Sequence, residues 1–526
     1  MQVNEAFPFD QTRLQTDVVP GEGATLPGQC LLVLGAGPKA IAIAAKRYVL
    51  EKRGYKVPRL VIVDSKGVVA HWSGGFGFTD GRQLLGTRPE KDVGYPYAST
   101  SWGDDDENQE IAGEMFLLSW HSYLVHMGKY LDWVDRGRTR PTHREWSCYL
   151  QWVASRIEFD VVLAEVRTIV LSEDGKRWQL VCRSTEDDAA LTVEGDGLVI
   201  TGPGTPITIE GQPANHPRVM DGGSFWLHVE EFARLRVTVS TPLHIGVIGT
   251  GETAAAIVIA LLSECKEKAF IEVISPNGVL YSRDEGFEEN RLFSDPDAKL
   301  ARLRGGHKHE LSWLRMNERD RREFLRRTDR GVFSVYAMEE VNRAENVGSV
   351  MGTARRMQVT EEYVFVDMEY DGDVERDTYD YVIVAVGFNA LWFTKLLQGR
   401  AYERLAGVTG SFDRVTTERA IGEDLSIRGF EPRLHLPMLA GVAQGPGFPN
   451  LSCFYLAQEV INFRHLQLRA PLLKRGLRTF GRARYSPHAS LFDHTRPRFA
   501  LLTFNERALC FLLMVRHQLM KISAMT

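Results

Sequence analysis

CLLVLGAGPKAIAIAAKRYVLEKRG, residues 30–54, joins an apolar run to a glycine turn and then to an alanine-rich stretch with helical spacing. Residues 31–34 read as a buried parallel strand, and Gly35-Ala36-Gly37-Pro38-Lys39-Ala40 fits GxGxx[G/A]. In that pattern Gly35 makes the tight turn, Gly37 lets backbone approach a pyrophosphate, and the small Ala40 lets the helix pack on the strand. The helix N-terminus then faces two phosphates, because its unpaired N–H groups and dipole favour anions. After a polar turn, LVIVD (residues 60–64) reads as a second strand ending at Asp64, a carboxylate placed to accept hydrogen bonds from a ribose diol.

LHIGVIGTGETAAAIVIALLSECKEKAFIEVIS, residues 243–275, repeats the arrangement, with Gly249, Gly251 and Ala254 in the turn. The next strand ends at Ser275 without a carboxylate, and Asn277 and Arg283 follow. A missing acid removes repulsion against a 2′-phosphate and a nearby Arg can pair with one, so NADPH is expected over NADH. Lys266 and Lys268 compete with Arg283 for that role. One such motif alone is compatible with nothing more than a helix packed tightly on a strand. Two complete units, Gly35 and Gly249 lying 214 positions apart, point to two dinucleotides, FAD first and NADPH second.

LVITGPGTP (198–206) and DYVIVAVGFN (380–389) are apolar strands ending in small-residue turns, where the chain can cross between two domains. The expected fold class is therefore α/β, with two Rossmann-like domains and the NADPH domain inserted into a discontinuous FAD domain. The expected boundaries are 28–205 for the first part of the FAD domain, 240–380 for the NADPH domain, 381–462 for the rest of the FAD domain with the substrate site, and 463–526 for an extension. At roughly 150 residues per domain, a chain of 526 residues agrees with that division.

The net charge of −5 excludes a binder driven by neutralising nucleic-acid phosphates. It also averages over an asymmetry, because from Arg464 onward 12 Lys and Arg stand against Asp493 and Glu506 alone. The tail holds ALCFLLMV (508–515), and docking on the acidic body is its expected use, ahead of contact with an anionic membrane surface. The acidic patch GDDDENQE (103–110) reads as a solvated loop. The N-terminus lacks the order of a signal peptide and no apolar run nears the roughly 20 residues of a membrane span. A cytoplasmic protein with reduced thiols is expected.

The six cysteines include no CxxC pair and no Cys/His cluster at zinc spacing, so neither a dithiol redox centre nor a metal site is expected. That leaves flavin chemistry with dioxygen as the common use of two dinucleotides. Enzymes of that kind acting on carbonyls or soft sulfur and amine centres usually carry FxGxxxHxxx[W/F]. MDGGSFWLHVEEF (220–232) keeps His228 and Phe232 in spacing, with its glycines out of register.

Several stretches resemble the flavin-dependent N-hydroxylating monooxygenases, closest to the mycobactin-type L-lysine N6-hydroxylases. They are GVVAHWSGGFGFTDGRQLLGTRPEKDVGYPY (67–97), YLDWVDRGRTRPTHREWSCYLQWVA (130–154), DEGFEENRLFSDP (284–296), RRTDRGVFSV (326–335) and LHLPMLAGVAQGPGFPNLS (434–452). The resemblance implies NADPH- and O2-dependent hydroxylation of an amino-acid side-chain amine by a C4a-hydroperoxyflavin, with no titrating catalytic side chain required. It implies that Lys91 binds the substrate α-carboxylate, that Asn290 reaches it too, and that Trp72 walls the flavin. By the same resemblance Gly447, Asn450, Leu451 and Ser452 lie beside the isoalloxazine, and the assembly is a dimer or tetramer. Arg88 stands where the resemblance leads one to expect a smaller residue, and an extra cation there suits a second carboxylate. L-lysine is the first choice of substrate, with L-ornithine, L-aspartate or a diamine behind it, and a non-hydroxylating NADPH oxidase or sensor as a rival.

Overall fold

The computed structural model describes residues 8–15, 29–95, 97, 105–283, 313, 316–328, 330–422 and 424–449. Asn290, Asn450, Leu451, Ser452 and the whole basic extension lie outside the described residues.

The strands are β1 (Cys30–Leu34), β2 (Arg59–Asp64), β3 (Asp160–Leu171), β4 (Trp178–Ser184), β5 (Ala190–Gly195), β6 (Gly197–Ile200), β7 (Val219–Asp221), β8 (Leu243–Ile248), β9 (Ala269–Ser275), β10 (Val347–Met351), β11 (Thr353–Val359), β12 (Val364–Tyr370), β13 (Asp373–Tyr379), β14 (Tyr381–Val384) and β15 (Arg433–His435). The helices that matter for the site are α1 (Pro38–Lys52), α2 (Asp105–Phe116), α3 (Trp120–His126), α4 (Tyr130–Asp135), α5 (His143–Ala154), α6 (Phe225–Thr238) and α7 (Glu252–Cys265).

One sheet runs β15-β6-β1-β2-β3-β4-β5. Every residue of β1 is buried, the continuous apolar pattern of a parallel strand covered on both faces. β1 pairs in parallel with β2 on one side and β6 on the other, so the strand order reverses at β1 and a crevice opens at its carboxyl end. A second, wholly parallel sheet runs β10-β9-β8-β14-β7, and its order reverses at β8 in the same way. β11, β12 and β13 form a separate antiparallel sheet. The two glycine turns thus leave the two switch-point strands.

The inserted unit is larger than the expected 240–380. β7 and α6 precede residue 240, and β14, assigned by sequence to the flavin part, pairs with β8 and β7. The reason is topological: β8 is a central strand and needs a neighbour on each side, and β14 fills one of them. The chain crosses where the sequence suggests. Ile207 N donates to Gly387 O at 2.9 Å, Asn389 N donates to Thr205 O at 2.8 Å, and Pro206 faces Phe388, so the outgoing and returning segments are themselves paired.

The acidic patch is not a solvated loop. From residue 105 it forms α2, with Asn108, Ile111 and Met115 buried against the flavin-side core. Glu107 and Glu110 pair with Arg53 at the C-terminus of α1, the first through Arg53 Nε at 2.8 Å. Apolar residues four apart give the segment a buried face that its charges conceal.

Candidate functional site

At the first glycine turn Gly35 adopts φ +101°, and a Cβ there would sit 2.6 Å from Thr201 Oγ1 on the strand alongside. Only glycine tolerates both. Gly37 caps α1, Pro38 takes its first position, and Ala40 is fully buried. A Cβ on Gly37 would meet no protein atom within 4 Å, so protein packing does not explain this glycine. Close approach of a ligand's phosphates to the N–H groups of α1 does explain it. The first turn of α1 carries no acid to oppose an anion.

Asp64 has a further task that its spacing did not reveal. Its two oxygens accept hydrogen bonds from the N–H groups of Ala36, Lys66 and Gly67 at 2.9, 2.7 and 2.9 Å. The carboxylate pins the glycine turn to the end of β2, and these three bonds use three of its roughly four lone pairs.

The loop after β2 hangs on the same turn, since Val69 N donates to Ala36 O at 3.0 Å. It carries Trp72 in a single helical turn, with the Trp72 ring centroid 4.7 Å from that of His143 at the start of α5. His143 Nδ1 lies 2.9 Å from Thr79 Oγ1, and burial pushes its imidazole down to about 4, which leaves it neutral at ordinary pH. His71 Nδ1 beside Trp72 is buried and has no hydrogen-bond partner among the described residues. Farther along, Phe78 N donates to Gly223 O at 3.1 Å and the Phe78 ring lies 5.5 Å from that of Phe388. The tryptophan loop therefore spans from the first glycine turn to the inserted unit.

Lys91 follows in the same excursion, half-buried, its N–H donating to Arg88 O at 3.0 Å. Asp92 beside it is 1% exposed and accepts from Trp120 N at 2.8 Å, Gly94 N at 3.2 Å and the Tyr97 hydroxyl. Burial pushes its carboxyl up to about 7, against the pull of those donors. Asp92 is the anchor that fixes the loop onto the first turn of α3 and onto the packed rings of Trp120, Trp146 and Tyr149. Sequence reading passed over it as the neighbour of Lys91; the aspartate next to a lysine in a glycine-rich loop was the available signal.

Two contacts tie the C-terminal turn to the first glycine turn. Lys39 Nζ donates to Pro449 O at 2.8 Å, and Phe448 is buried in the flavin-side core. Gly447, two residues before Pro449, is buried and is thereby brought near the first turn. Lys39 was not singled out by sequence, where it reads as the variable position of the glycine motif.

The second turn repeats the first. Gly249 has φ +121° and a Cβ there would overlap Ala385 O, Gly251 caps α7, and Ala254 is fully buried. Ser275 ends β9 buried, and its Oγ accepts from Gly278 N at 3.1 Å; it shapes the turn that follows. Arg283 N donates to Phe333 O at 2.8 Å, and Gly331 in the same loop comes up against Thr250 of the glycine turn. Arg283 is thereby held beside the second turn. Arg140 stands in the field of Arg88 and of Glu252 and Glu339 of the inserted unit.

Residues 117–390 match the family model described as L-lysine 6-monooxygenase/L-ornithine 5-monooxygenase. The chain is 37% identical over 434 residues to an L-lysine N6-monooxygenase MbtG of Mycolicibacterium paratuberculosis, covering 82% of this chain and 94% of that one. This chain belongs to the lysine/ornithine N-monooxygenase family. A second MbtG, from Mycobacterium sp. strain MCS, is 37% identical over 452 residues, 85% of this chain and 97% of the relative. Among solved structures, the lysine monooxygenase NbtG of Nocardia farcinica superposes with a TM-score of 0.68 at 35% identity, covering 84% of this chain and all of that one.

The chain is a flavin-dependent N-hydroxylating monooxygenase, and FAD and NADPH are its cofactors. The residues fit both. Gly35, Gly37 and α1, with Asp64 and the Trp72 loop, suit the FAD; Gly249, Gly251 and α7 suit the NADPH. Among the described residues no cluster of His, Cys, Asp and Glu suits a metal ion, and no helix is long and apolar enough to cross a membrane. Cys30, Cys182 and Cys265 are buried free thiols whose pKa burial pushes up to about 12, which makes them unreactive core residues.

Proposed function

We propose that this monooxygenase converts L-lysine to N6-hydroxylysine. The observation that carries the reading is Lys91 on a loop anchored by the buried Asp92 and running from the first glycine turn to the inserted unit. An ammonium held in that position fits an α-carboxylate and gives a diamine nothing to pair with it. The relatives that match over most of the chain are L-lysine N6-monooxygenases by name, which favours lysine over the shorter ornithine. Arg88, which in sequence argued for an acidic substrate, is exposed and lies in the field of Arg140, and aspartate stays in the test below as the rival substrate.

When bound, the flavin supplies activated oxygen at the expense of NADPH. The chain's own residues do the rest. Lys91 holds the carboxylate and so fixes how far the side-chain amine reaches. A free lysine amine has a pKa of about 10.4, and it must be neutral to act as a nucleophile, so an apolar surround that disfavours the ammonium promotes the reaction. The His71 and Phe78 rings pack edge to face, the Trp72 ring packs on His143, and burial lowers the pKa of both imidazoles, so these rings give a lining that adds no cation. Excluding water protects the activated oxygen from unproductive loss.

The hydroxylamine product suits siderophore assembly, in which such a group is acylated to a metal-binding hydroxamate. A cytoplasmic dimer or tetramer is proposed on the same family grounds. The test is product formation by FAD-loaded protein with NADPH and lysine, ornithine, aspartate or cadaverine. Hydroxylamine from lysine in preference to the others is expected; peroxide release with none of them hydroxylated would falsify the reading.

A further inference from the structure

Leu84 and Thr142 form an antiparallel bridge, flanked by hydrogen bonds from Leu85 N to Pro141 O at 2.9 Å and from His143 N to Gln83 O at 2.8 Å. That register sets Gly86 opposite Arg140. Gly86 lies against the inserted unit: a Cβ there would be 3.5 Å from Glu252 Oε2, on the first residue of α7. Arg140 is therefore carried by the flavin part of the chain to the start of the second dinucleotide helix. Its Nη1 is buried and has no hydrogen-bond partner among the described residues. A second guanidinium, Arg88, shares its field, as do the carboxylates of Glu252 and Glu339.

This arrangement is costly for the protein alone. Two cations repel, and one of them has a desolvated N–H left unpaired, which costs free energy unless something accepts from it. The helix start they approach has its own difficulty, because a phosphate at Gly249–Gly251 would face the Glu252 carboxylate. A diphosphate placed there resolves both problems. It accepts the unpaired guanidinium N–H, balances the second cation, and has its repulsion from Glu252 offset.

We propose that Arg140 and Arg88 bind the pyrophosphate of the nicotinamide dinucleotide, reaching across from the flavin part of the chain to the second glycine turn. The inference concerns NADPH and stands whether or not lysine is the substrate. It implies that the dinucleotide holds the two halves of the enzyme together, since its phosphates are shared between α7 and the segments at 86–88 and 140. It also separates the two determinants of affinity. The pyrophosphate is common to NADP+ and NAD+, so these arginines set affinity for both, whereas choice between them belongs to whatever meets the 2′-phosphate.

The experiment is calorimetric titration of the FAD-loaded protein with NADP+ and, separately, NAD+, for Arg140→Met, Arg88→Met and the double variant, with L-lysine titrated as a third ligand. Arg88 is exposed, so Arg88→Met keeps the proposal testable should Arg140→Met fail to fold. Loss of one charge-assisted hydrogen bond corresponds to an affinity loss of about tenfold. The expected result is a weakening of that order for both dinucleotides, an unchanged NADP+/NAD+ ratio, a shallower salt dependence and unaltered lysine affinity. Unchanged Kd for both dinucleotides overturns the proposal. So does a loss confined to NADP+, which would move the arginines to the 2′-phosphate, and so does a loss confined to lysine, which would return Arg88 to a substrate carboxylate.

Discussion

Lys39 Nζ donates a 2.8 Å hydrogen bond to the carbonyl of Pro449, across 410 positions of chain. Lys39 is the second residue of α1, inside the first glycine motif, and only 8% exposed. Pro449 ends the turn that holds Gly447. The two pieces of the discontinuous flavin part are thus joined beside the first glycine turn.

Lys39→Met keeps the aliphatic stem and removes the ammonium, leaving Pro449 O without that donor. We expect protein that folds but is purified with less FAD, and a stability loss on the order of 1–3 kcal/mol. The ratio of flavin absorbance to protein absorbance, with urea denaturation, measures both; wild-type flavin content in Lys39→Met would refute the joining role.

Lys91→Ala should raise the KM for an amino-acid substrate at least tenfold while NADPH oxidation continues and releases peroxide. Asp92→Ala should do the same by a different route, because it frees the loop from Trp120 N and Gly94 N, and it should also lower the melting temperature. Steady-state kinetics beside thermal denaturation separate the two variants: Lys91→Ala moves KM alone. An unchanged KM in Lys91→Ala removes the carboxylate assignment.

His143 and Asp92 give opposite dependences of stability on pH. The folded pKa of His143 is depressed to about 4 from an ordinary 6.5, so its contribution is present above pH 6.5 and is lost as pH falls towards 4. The folded pKa of Asp92 is raised from 3.8 to about 7, so its contribution is present below 3.8 and is lost as pH rises through 7. His143→Gln should therefore gain on the wild type as pH drops from 6.5 to 4, and Asp92→Asn should gain as pH rises from 4 to 7. Melting temperatures across pH 4–8 read both slopes, and parallel curves for variant and wild type would contradict them.

Gly249→Ala places a Cβ against the backbone oxygen of Ala385 at φ +121°, so no side-chain rotation relieves it. We expect weak NADP+ binding with FAD content retained, because the damage falls in the inserted unit. Gly35→Ala should show the reverse, loss of FAD. Finding both cofactors lost together in Gly249→Ala would mean that the two halves do not fold separately.

Much of this was legible in the chain itself. A strand, a turn needing positive φ, and a helix with small residues on one face are local demands, so both dinucleotide units and the crossing at 198–206 and 380–389 could be read directly. Lys91 and Trp72 came from motif resemblance, and the structure shows how the loop that carries them is anchored. What misled was what depends on distant partners. The acidic stretch from residue 105 looked like a loop because the helix it forms packs on α1, and the inserted unit was drawn too small because β14 becomes a neighbour of β8 only once the sheet forms.

Residue order alone therefore determined the two strand–turn–helix units and the glycines that shape their turns, because backbone conformation at a turn is set by the residues of the turn. Tertiary structure decided what those turns face. It brought Pro449 to Lys39, buried Asp92 under the Lys91 loop, and carried Gly86 and Arg140 of the flavin part to the start of α7. Long-range electrostatics and burial belong to the folded chain, and no local pattern encodes them.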